Sequence, residues 1–320
     1  MTPLAVIRFV GGRLLGAALT IWVTTVIVFG ALYVVPGDPL SILLRGRRTT
    51  PELVAQLRET YGLDEPLPVR YATWLSGVVR GDFGESLQFQ ASVADVVASR
   101  IPTTLWLVGY SAVIILVFGV VLGSWAAVSR RPLVDQIVLI GSSVLSAIPA
   151  FVAALILLLV FAGALGWFPA FGSGGDNVTD RLYHLTLPAI ALSLTYVGLI
   201  ARITRASLLR EIRSDHVVVA RTRGLPRGYV FRHHVMRNAL NPILSYAGVL
   251  VAGLLVTSQL VEFAFDLNGI GSLLVESVRN IDFAVVQALT LLIVIAFIVT
   301  NLFVDLLAPV IDPELRRGAA

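Results

Sequence analysis

Six long apolar stretches leave this chain no soluble fold to adopt. They run from about Leu14 to Val35, Thr104 to Val128, Ile137 to Phe161, Leu185 to Ala201, Ala239 to Val261 and Ala284 to Leu307. A bilayer core about 30 Å thick is crossed by roughly 20 apolar residues in a helix. In lipid every backbone polar group needs an internal partner, so each stretch is predicted to be helical. Pro149, Pro188 and Gly253 fall inside these stretches, where neighbouring helices can satisfy the groups such residues free. The runs Leu155–Val160 and Leu291–Phe297 are too continuously apolar to be surface strands. Composition agrees: 57% of the 320 residues are hydrophobic and 14% are charged, against about 25% charged in an ordinary soluble domain. The mean hydropathy is +0.86. The expected fold is all-α and integral to a membrane, with about six transmembrane helices. The first apolar run is too long for a cleavable signal and no small-residue cleavage pattern follows it, so it is expected to remain as the first helix.

Arginine sets the orientation, because short cytoplasmic loops carry the excess of basic residues. Arg8 and Arg13 precede the first span, and Arg130 and Arg131 separate the second from the third. Arg202, Arg205, Arg210, Arg213, Arg221, Arg223, Arg227, Arg232 and Arg237 lie between the fourth and fifth, and Arg316 and Arg317 follow the sixth. The loops after the third and fifth spans hold one arginine each, Arg181 and Arg279. Both termini are therefore expected in the cytoplasm. The sequence pI of about 9.7 is explained by this topology, and no nucleic-acid partner is expected.

The chain divides into an N-terminal segment and first span (1–35), an extracytoplasmic subdomain (36–103), a five-helix core (104–308) and a tail (309–320). The core holds a long cytoplasmic loop at about 202–238. The subdomain includes a helix-like stretch, Pro51 to Tyr61, with Thr50 as its N-cap. Gly62, Pro66, Pro68, Gly77, Gly81 and Gly84 punctuate the rest of the subdomain.

Several chemistries are excluded. All 24 basic residues are arginine, and a P-loop needs a lysine on its phosphates. The same lack excludes a Schiff-base enzyme, and the absence of cysteine excludes a thiolate nucleophile. Spans two to six have no ionisable residue in their middles; Glu262 and Asp305 sit at span ends. Intramembrane acids usually mark ion relays, so ion coupling is disfavoured. His184, His216, His233 and His234 form no HExxH pattern, and no GxSxG occurs. The adjacent His233 and His234 read as a solvated or structural pair more readily than as a metal site. No catalytic constellation is visible, and any work of transport must be driven from outside the chain.

The loop at 202–238 contains a short helix-like piece from Asp215 to Leu225. Gly224 suits a helix C′ position with positive φ. The piece is either a connector with positive-inside charge or a docking element for a cytosolic motor.

Taken in order along the chain, its motifs give a sequence that resembles the dipeptide and oligopeptide ABC-transporter permeases, specifically the type with a long first extracytoplasmic loop. The likeness covers nearly the whole chain. Pro36-Gly-Asp-Pro39, Gly62-Leu-Asp-Glu-Pro-Leu67 and the stretch from Arg70 with Trp74, Gly81, Asp82, Gly84 and Ser86 are similar to the family pattern. Arg100-Ile-Pro-Thr-Thr-Leu105, Ser146-Ala-Ile-Pro149 with Phe151, Leu165-Gly-Trp-Phe-Pro169 and His184-Leu-Thr-Leu-Pro188 come next. So do Ala201–Ala206, Arg237-Asn-Ala-Leu240, Pro242, Glu262, Phe265, Gly269, Gly271, Asp282, Val286, Gln287, Asn301, Asp305 and Asp312-Pro313. The family's EAAxxxG coupling motif falls on Val218, Val219, Ala220 and Gly224, with its glutamate and first alanine both replaced by valine. Asn268 and Ala284 stand where proline is usual. Each match is modest alone (PGDP is also simply a good turn); their order carries the resemblance.

The resemblance implies a type I ABC importer transmembrane fold in a bacterial cytoplasmic (inner) membrane, multi-pass and non-catalytic. It implies a second homologous permease subunit, two cytosolic ABC ATPases that bind ATP and Mg, and an extracytoplasmic substrate-binding protein. This chain itself needs no cofactor. The cargo implied is a di- or oligopeptide, with haem, a nickel chelate or glutathione as alternatives; a secondary transporter or channel is the rival class. Asp215, Val218, Val219, Ala220, Arg221, Gly224 and Leu225 are then expected at the ATPase, with Arg221 and Arg223 pairing with its acids or facing lipid headgroups. Thr257, Ser258, Gln259, Thr195 and Asn301 are expected along the path, the first three as a polar cluster. Asp82, Glu85 and Arg70 are expected to meet the binding protein, unless the 36–103 region is a structural plug.

Overall fold

The computed structural model describes residues 3–34, 50–51, 65–86, 88–129, 131–175 and 177–311. The Pro36–Pro39 turn, most of the expected helix at Pro51–Tyr61, and Asp312 with the tail lie outside them. Helix α1 spans Pro3–Val34, and α2 spans Leu67–Val79. The two-residue strands β1 (Glu85–Ser86) and β2 (Ala91–Ser92) pair antiparallel, with Glu85 opposite Ser92. Next come α3 (Val93–Val128), α4 (Pro132–Ala147) and α5 (Ala150–Leu157), the last running on as a π-helical segment, Leu158–Ala164. Helix α6 is Val178–Ile212, α7 is Asp215–Thr222 and α8 is Arg227–Val230, followed by a π-helical turn, Phe231–Met236. Helices α9 (Arg237–Ala264), α10 (Ile270–Arg279) and α11 (Phe283–Ile311) complete the chain.

The centre of the bundle is the seam between α3 and α6. Without a hydrophobic drive between helices in lipid, small residues permit the close approach on which association depends. A Cβ added at Gly119 would lie 2.6 Å from Ile200 Cγ2, and one at Gly123 would lie 2.6 Å from Thr204 Cβ. Around this seam Leu107, Ile115, Leu185, Leu192 and Leu254 are fully buried. Helix α1 stands at the edge, exposing Leu15, Leu19, Trp22 and Ile27, as a lipid-facing helix should.

Two helices are much longer than their apolar stretches. Helix α6 exceeds the expected 185–201 at both ends, and α3 begins at Val93, with Pro102 inside it. Residues 93–103 are therefore helical and continuous with the second span, and Val93 and Val97 pack at the outer end with Phe83 and Phe89. Tertiary packing holds these polar extensions in the helix, where apolar length alone would stop.

The third span is not the straight helix expected at 137–161. It breaks at Ile148–Pro149, and α4 and α5 meet at 95°. Proline lacks an N–H and its ring clashes with the carbonyl four residues earlier. The break is stitched to α6: Thr195 Oγ1 donates to the Ile148 carbonyl at 3.1 Å, and Ser146 Oγ donates to the Thr195 carbonyl at 3.0 Å. Contacts reach both ends of the pair. Asp135 of α4 is ion-paired with Arg205 near the cytoplasmic end of α6. The loop after α5 is bonded to the far end of α9, Gly172 N to the Phe265 carbonyl at 3.0 Å and Asn268 N to Ser173 Oγ at 2.9 Å. Helices α1, α3, α6, α9 and α11 are each long and apolar enough to cross a membrane, and the bent pair counted as one span brings the total to six.

Outside the bundle, α2 lies against α1. Tyr71 Oη and Thr25 Oγ1 are 2.7 Å apart, and the Phe29 ring packs on Trp74 at 5.5 Å.

Candidate functional site

Two ends of the bundle carry the candidate functional residues. At the cytoplasmic end, α7 turns one face inward. Val217 and Ala220, one turn apart and so on the same face, are buried with Leu208, Val230, Val235 and Ala239. The opposite face is open: Asp215, Val218, Val219 and Arg221 are exposed, as are Leu225 and Tyr229 beyond the helix. Val218 is 49% and Val219 47% exposed, a high value for β-branched residues at the cytoplasmic side of a chain. Asp215 in the first turn suits the positive end of the helix dipole.

The helix ends as its sequence predicts. Gly224 has φ +79°, and its N–H donates to the Arg221 carbonyl at 3.0 Å. This is the left-handed C′ conformation that favours glycine. A Cβ at Gly224 would meet nothing within 4 Å, so the residue serves the turn and the space beside it is free. Ala220, expected at the motor, instead seats α7 in the bundle. His216 ties the same region together, with Nε2 3.2 Å from Asn238 Nδ2 and 3.6 Å from Glu211 Oε2. The Tyr229 ring stacks on His233 at 4.2 Å. Among the described residues no three His, Asp or Glu side chains gather as metal ligands.

The three residues of the expected polar cluster on α9 have different surroundings. Consecutive helical residues are about 100° apart, and the three side chains diverge. Thr257 is exposed and donates back to the Gly253 carbonyl at 3.0 Å. Ser258 is buried, and Gln259 is half-buried beside it. Ser258 and Gln259 line a cavity of about 30 Å³ with Thr104, Ile270, Gly271 and Ile293. Thr195 is committed to the Ile148 carbonyl. Asn301 Nδ2 donates to its own helix, at Phe297 O, 2.8 Å away.

At the outer end sits a group the sequence placed only at a span end and in a family pattern. Glu262 is 0% exposed. Its Oε1 accepts from Thr104 Oγ1 at 2.8 Å, and its Oε2 accepts from the amides of Gly271 and Ser272 at 2.7 and 3.4 Å. Thr104 in turn accepts from Ile270 N at 2.9 Å. One carboxylate thus joins α3, α9 and the first turn of α10, whose orphan amides and dipole favour an anion. The glycines make room: a Cβ at Gly269 would lie 2.7 Å from Glu262 Cδ, and one at Gly271 would lie 2.9 Å from Gln259 Cβ.

The other end of α10 is held by a second acid. Asp282 is 2% exposed and precedes α11, where its Oδ1 accepts from Val285 N at 3.4 Å. Its Oδ2 accepts from Ser86 Oγ of β1 at 2.5 Å and from Gln88 N at 3.3 Å. Gln88 Nε2 also donates to Glu276 Oε1 of α10 at 2.9 Å. The hairpin is thereby fastened to the α10–α11 corner. Of the expected binding-protein contacts, Asp82 and Glu85 are exposed on or beside this hairpin, Asp82 accepting from Gly84 N at 2.9 Å. Arg70 is half-buried on α2. Asn268, where proline was the expectation, accepts from Arg100, and Ala284 is buried. Pattern alone does not reveal the two carboxylates' side-chain partners, because Thr104 and Ser86 lie 158 and 196 residues away in sequence.

Residues 119–317 match the family described as "Binding-protein-dependent transport system inner membrane component", and residues 6–108 match its N-terminal companion. The chain is 36% identical over 310 residues to the glutathione transport system permease protein GsiC of Escherichia coli strain K12, covering 97% of this chain and 99% of that protein. The protein of the same name from Salmonella choleraesuis strain SC-B67 is 34% identical over the same shares. Among solved structures, an amino acid ABC transporter crystallised with histidines superposes with a TM-score of 0.52 at 17% identity, covering 69% of this chain and 94% of that one.

Proposed function

The chain belongs to the family of binding-protein-dependent transport system inner membrane components, and from that premise we propose that it forms half of a path for short peptides across a bacterial inner membrane. It is a non-catalytic, multi-pass permease subunit of an ABC importer with the type I transmembrane fold. Such a subunit works with a partner ATPase and a substrate-binding protein. In the proposed assembly a second, similar permease completes the path, two cytosolic ATPases hold ATP and Mg, and the cargo arrives from the binding protein outside. Glutathione is itself a tripeptide, so the relatives' name falls within the short-peptide class.

The observation that carries the reading is the two-sidedness of α7. Val217 and Ala220 anchor it in the bundle, while Val218, Val219, Leu225 and Tyr229 face out beside Arg221, Arg223 and Arg227. An anchored helix with an apolar, basic outer face and a free glycine turn suits the groove of a motor protein. Cycling of the path is then a shift between two states driven by ATP at the partner.

The test is gentle extraction of the tagged chain from its host, followed by identification of what copurifies and by uptake in vesicles. A second permease and ATPases are expected, with ATP-dependent uptake of radiolabelled dipeptide, tripeptide or glutathione that needs the binding protein. A chain that comes out alone, or a complex that carries none of these peptides, would overturn the reading.

A further inference from the structure

Among the described residues, helix α10 lies between two spans at the outer end without crossing the membrane itself, and it roofs the cavity between them. Ile270 and Gly271 of its first turn form one wall; Ser258 and Gln259 of α9, and Leu292 and Ile293 of α11, form the others. Apolar packing holds part of this roof, with Ile270 and Leu273 buried against Val93, Val97, Val285 and Leu289. Its N-terminus is bonded in addition to a fully buried carboxylate. Burying a charge costs several kcal/mol unless it is fully bonded, and in a membrane protein such a group points to function.

We propose that Glu262 is a positioning residue for transport, holding α10 as the closed roof of the path at its outer end. The inference rests on the importer reading above and deepens it. The network is of a kind that opens in one step. Oε2 and the Gly271 and Ser272 amides, together with Oε1 and Thr104, join three helices at one group. If α10 lifts, the carboxylate loses its amide donors at once, so intermediate positions are disfavoured and the roof has two states. The far end of α10 is tied through Glu276 and Asp282 to Gln88 and Ser86 of the hairpin. Asp82 and Glu85, exposed there, are where a binding protein would press. Docking outside and the roof over the cavity are thus linked through four named side chains. Gly269 and Gly271 are required because side chains there would collide with Glu262 and Gln259.

The experiment uses the whole importer, with its second permease, ATPases and binding protein, in proteoliposomes. Glu262→Gln keeps size and most of the bonding but removes the charge. Thr104→Val removes the hydroxyl with no change of shape, and Thr104→Ser restores it. ATP hydrolysis without binding protein and peptide uptake are both read per assembled complex. A single bond to a charged group biases a two-state equilibrium about tenfold. The expected result is that Glu262→Gln and Thr104→Val raise hydrolysis without binding protein by about that factor, with a matching loss of uptake per ATP. Thr104→Ser behaves as wild type. A purely structural role would lower the amount assembled and leave both ratios unchanged, and that outcome overturns the proposal. If Glu262→Gln does not assemble, the Val and Ser variants at Thr104 decide: two equal, wild-type ratios overturn it, as does a Thr104→Val complex that likewise fails to assemble. Wild-type uptake is measured in parallel, and its absence would count against the importer reading and not against the roof.

Discussion

The outer and cytoplasmic ends of this bundle treat polar and apolar groups in opposite ways. Outside, two acids turn inward. Glu262 and Asp282 are buried and fully bonded, and each fastens one end of α10. Inside, apolar residues turn outward: Val218, Val219, Leu225 and Tyr229 are exposed on and beside α7. An end that closes on itself can be specified by one chain, whereas an end that exposes β-branched residues among arginines suits the motor contact proposed above. The lesson is one of division of labour. The outer corner holds a geometry, and the cytoplasmic corner offers a surface.

Breaking the outer corner should have the largest effect. Glu262→Ala orphans the Thr104 hydroxyl and the Gly271 amide, and each unpaired buried donor costs about 1–3 kcal/mol. A total loss of about 3 kcal/mol is expected on that basis, read as a lower melting temperature and a lower folded yield in detergent. A stability equal to wild type would show that the corner is not closed as described.

Charging the cytoplasmic face should act on association and spare the fold. Val218→Asp with Val219→Asp places two acids where apolar contact is expected, and interface hot spots cost about 2 kcal/mol or more. Capture of the ATPase from co-expressing membranes should fall at least tenfold while the melting temperature of the isolated chain holds. Equal capture would move the docking surface elsewhere.

Gln259→Leu sharpens the comparison from inside the cavity. It removes a polar side chain beneath α10 and leaves the Glu262 network bonded. Uptake is expected to fall about tenfold, the weight of one or two lost hydrogen bonds, without loss of assembly; unchanged uptake would remove the cavity from the path. The smallest effect is expected at Thr195, between the two ends. Thr195→Val frees the Ile148 carbonyl at the α4–α5 break and should cost about 1 kcal/mol in thermal unfolding. A cost several times larger would mean that the break itself is under load.

The count of about six spans and the conformation of Gly224 were legible because each depends on local chemistry. Apolar length and a left-handed turn are properties of neighbouring residues. The surroundings of the polar residues on α9 were not legible, because they depend on the other helices. Thr257, Ser258 and Gln259 are adjacent in the chain, but helical rotation leaves them exposed, buried and half-buried in turn. The bonds that Asn301 and Thr195 make to backbone carbonyls could not be read from the chain either. Ala220 sat in the coupling motif but packs inward, since it shares a face with Val217.

What the sequence determined by itself, then, is that the chain is a bundle of about six membrane helices with a basic cytoplasmic side and no chemistry of its own. Lipid tolerates little else, and the necessary signals lie within one helix or one turn. What only the tertiary structure decided is where those helices bend, what closes the outer end and which face of α7 is left open. The 95° break is held by a threonine on another helix, and Glu262 meets its hydroxyl partner across 158 residues of sequence. Such pairings depend on how helices pack in three dimensions, and a buried charge finds its partners only after they have.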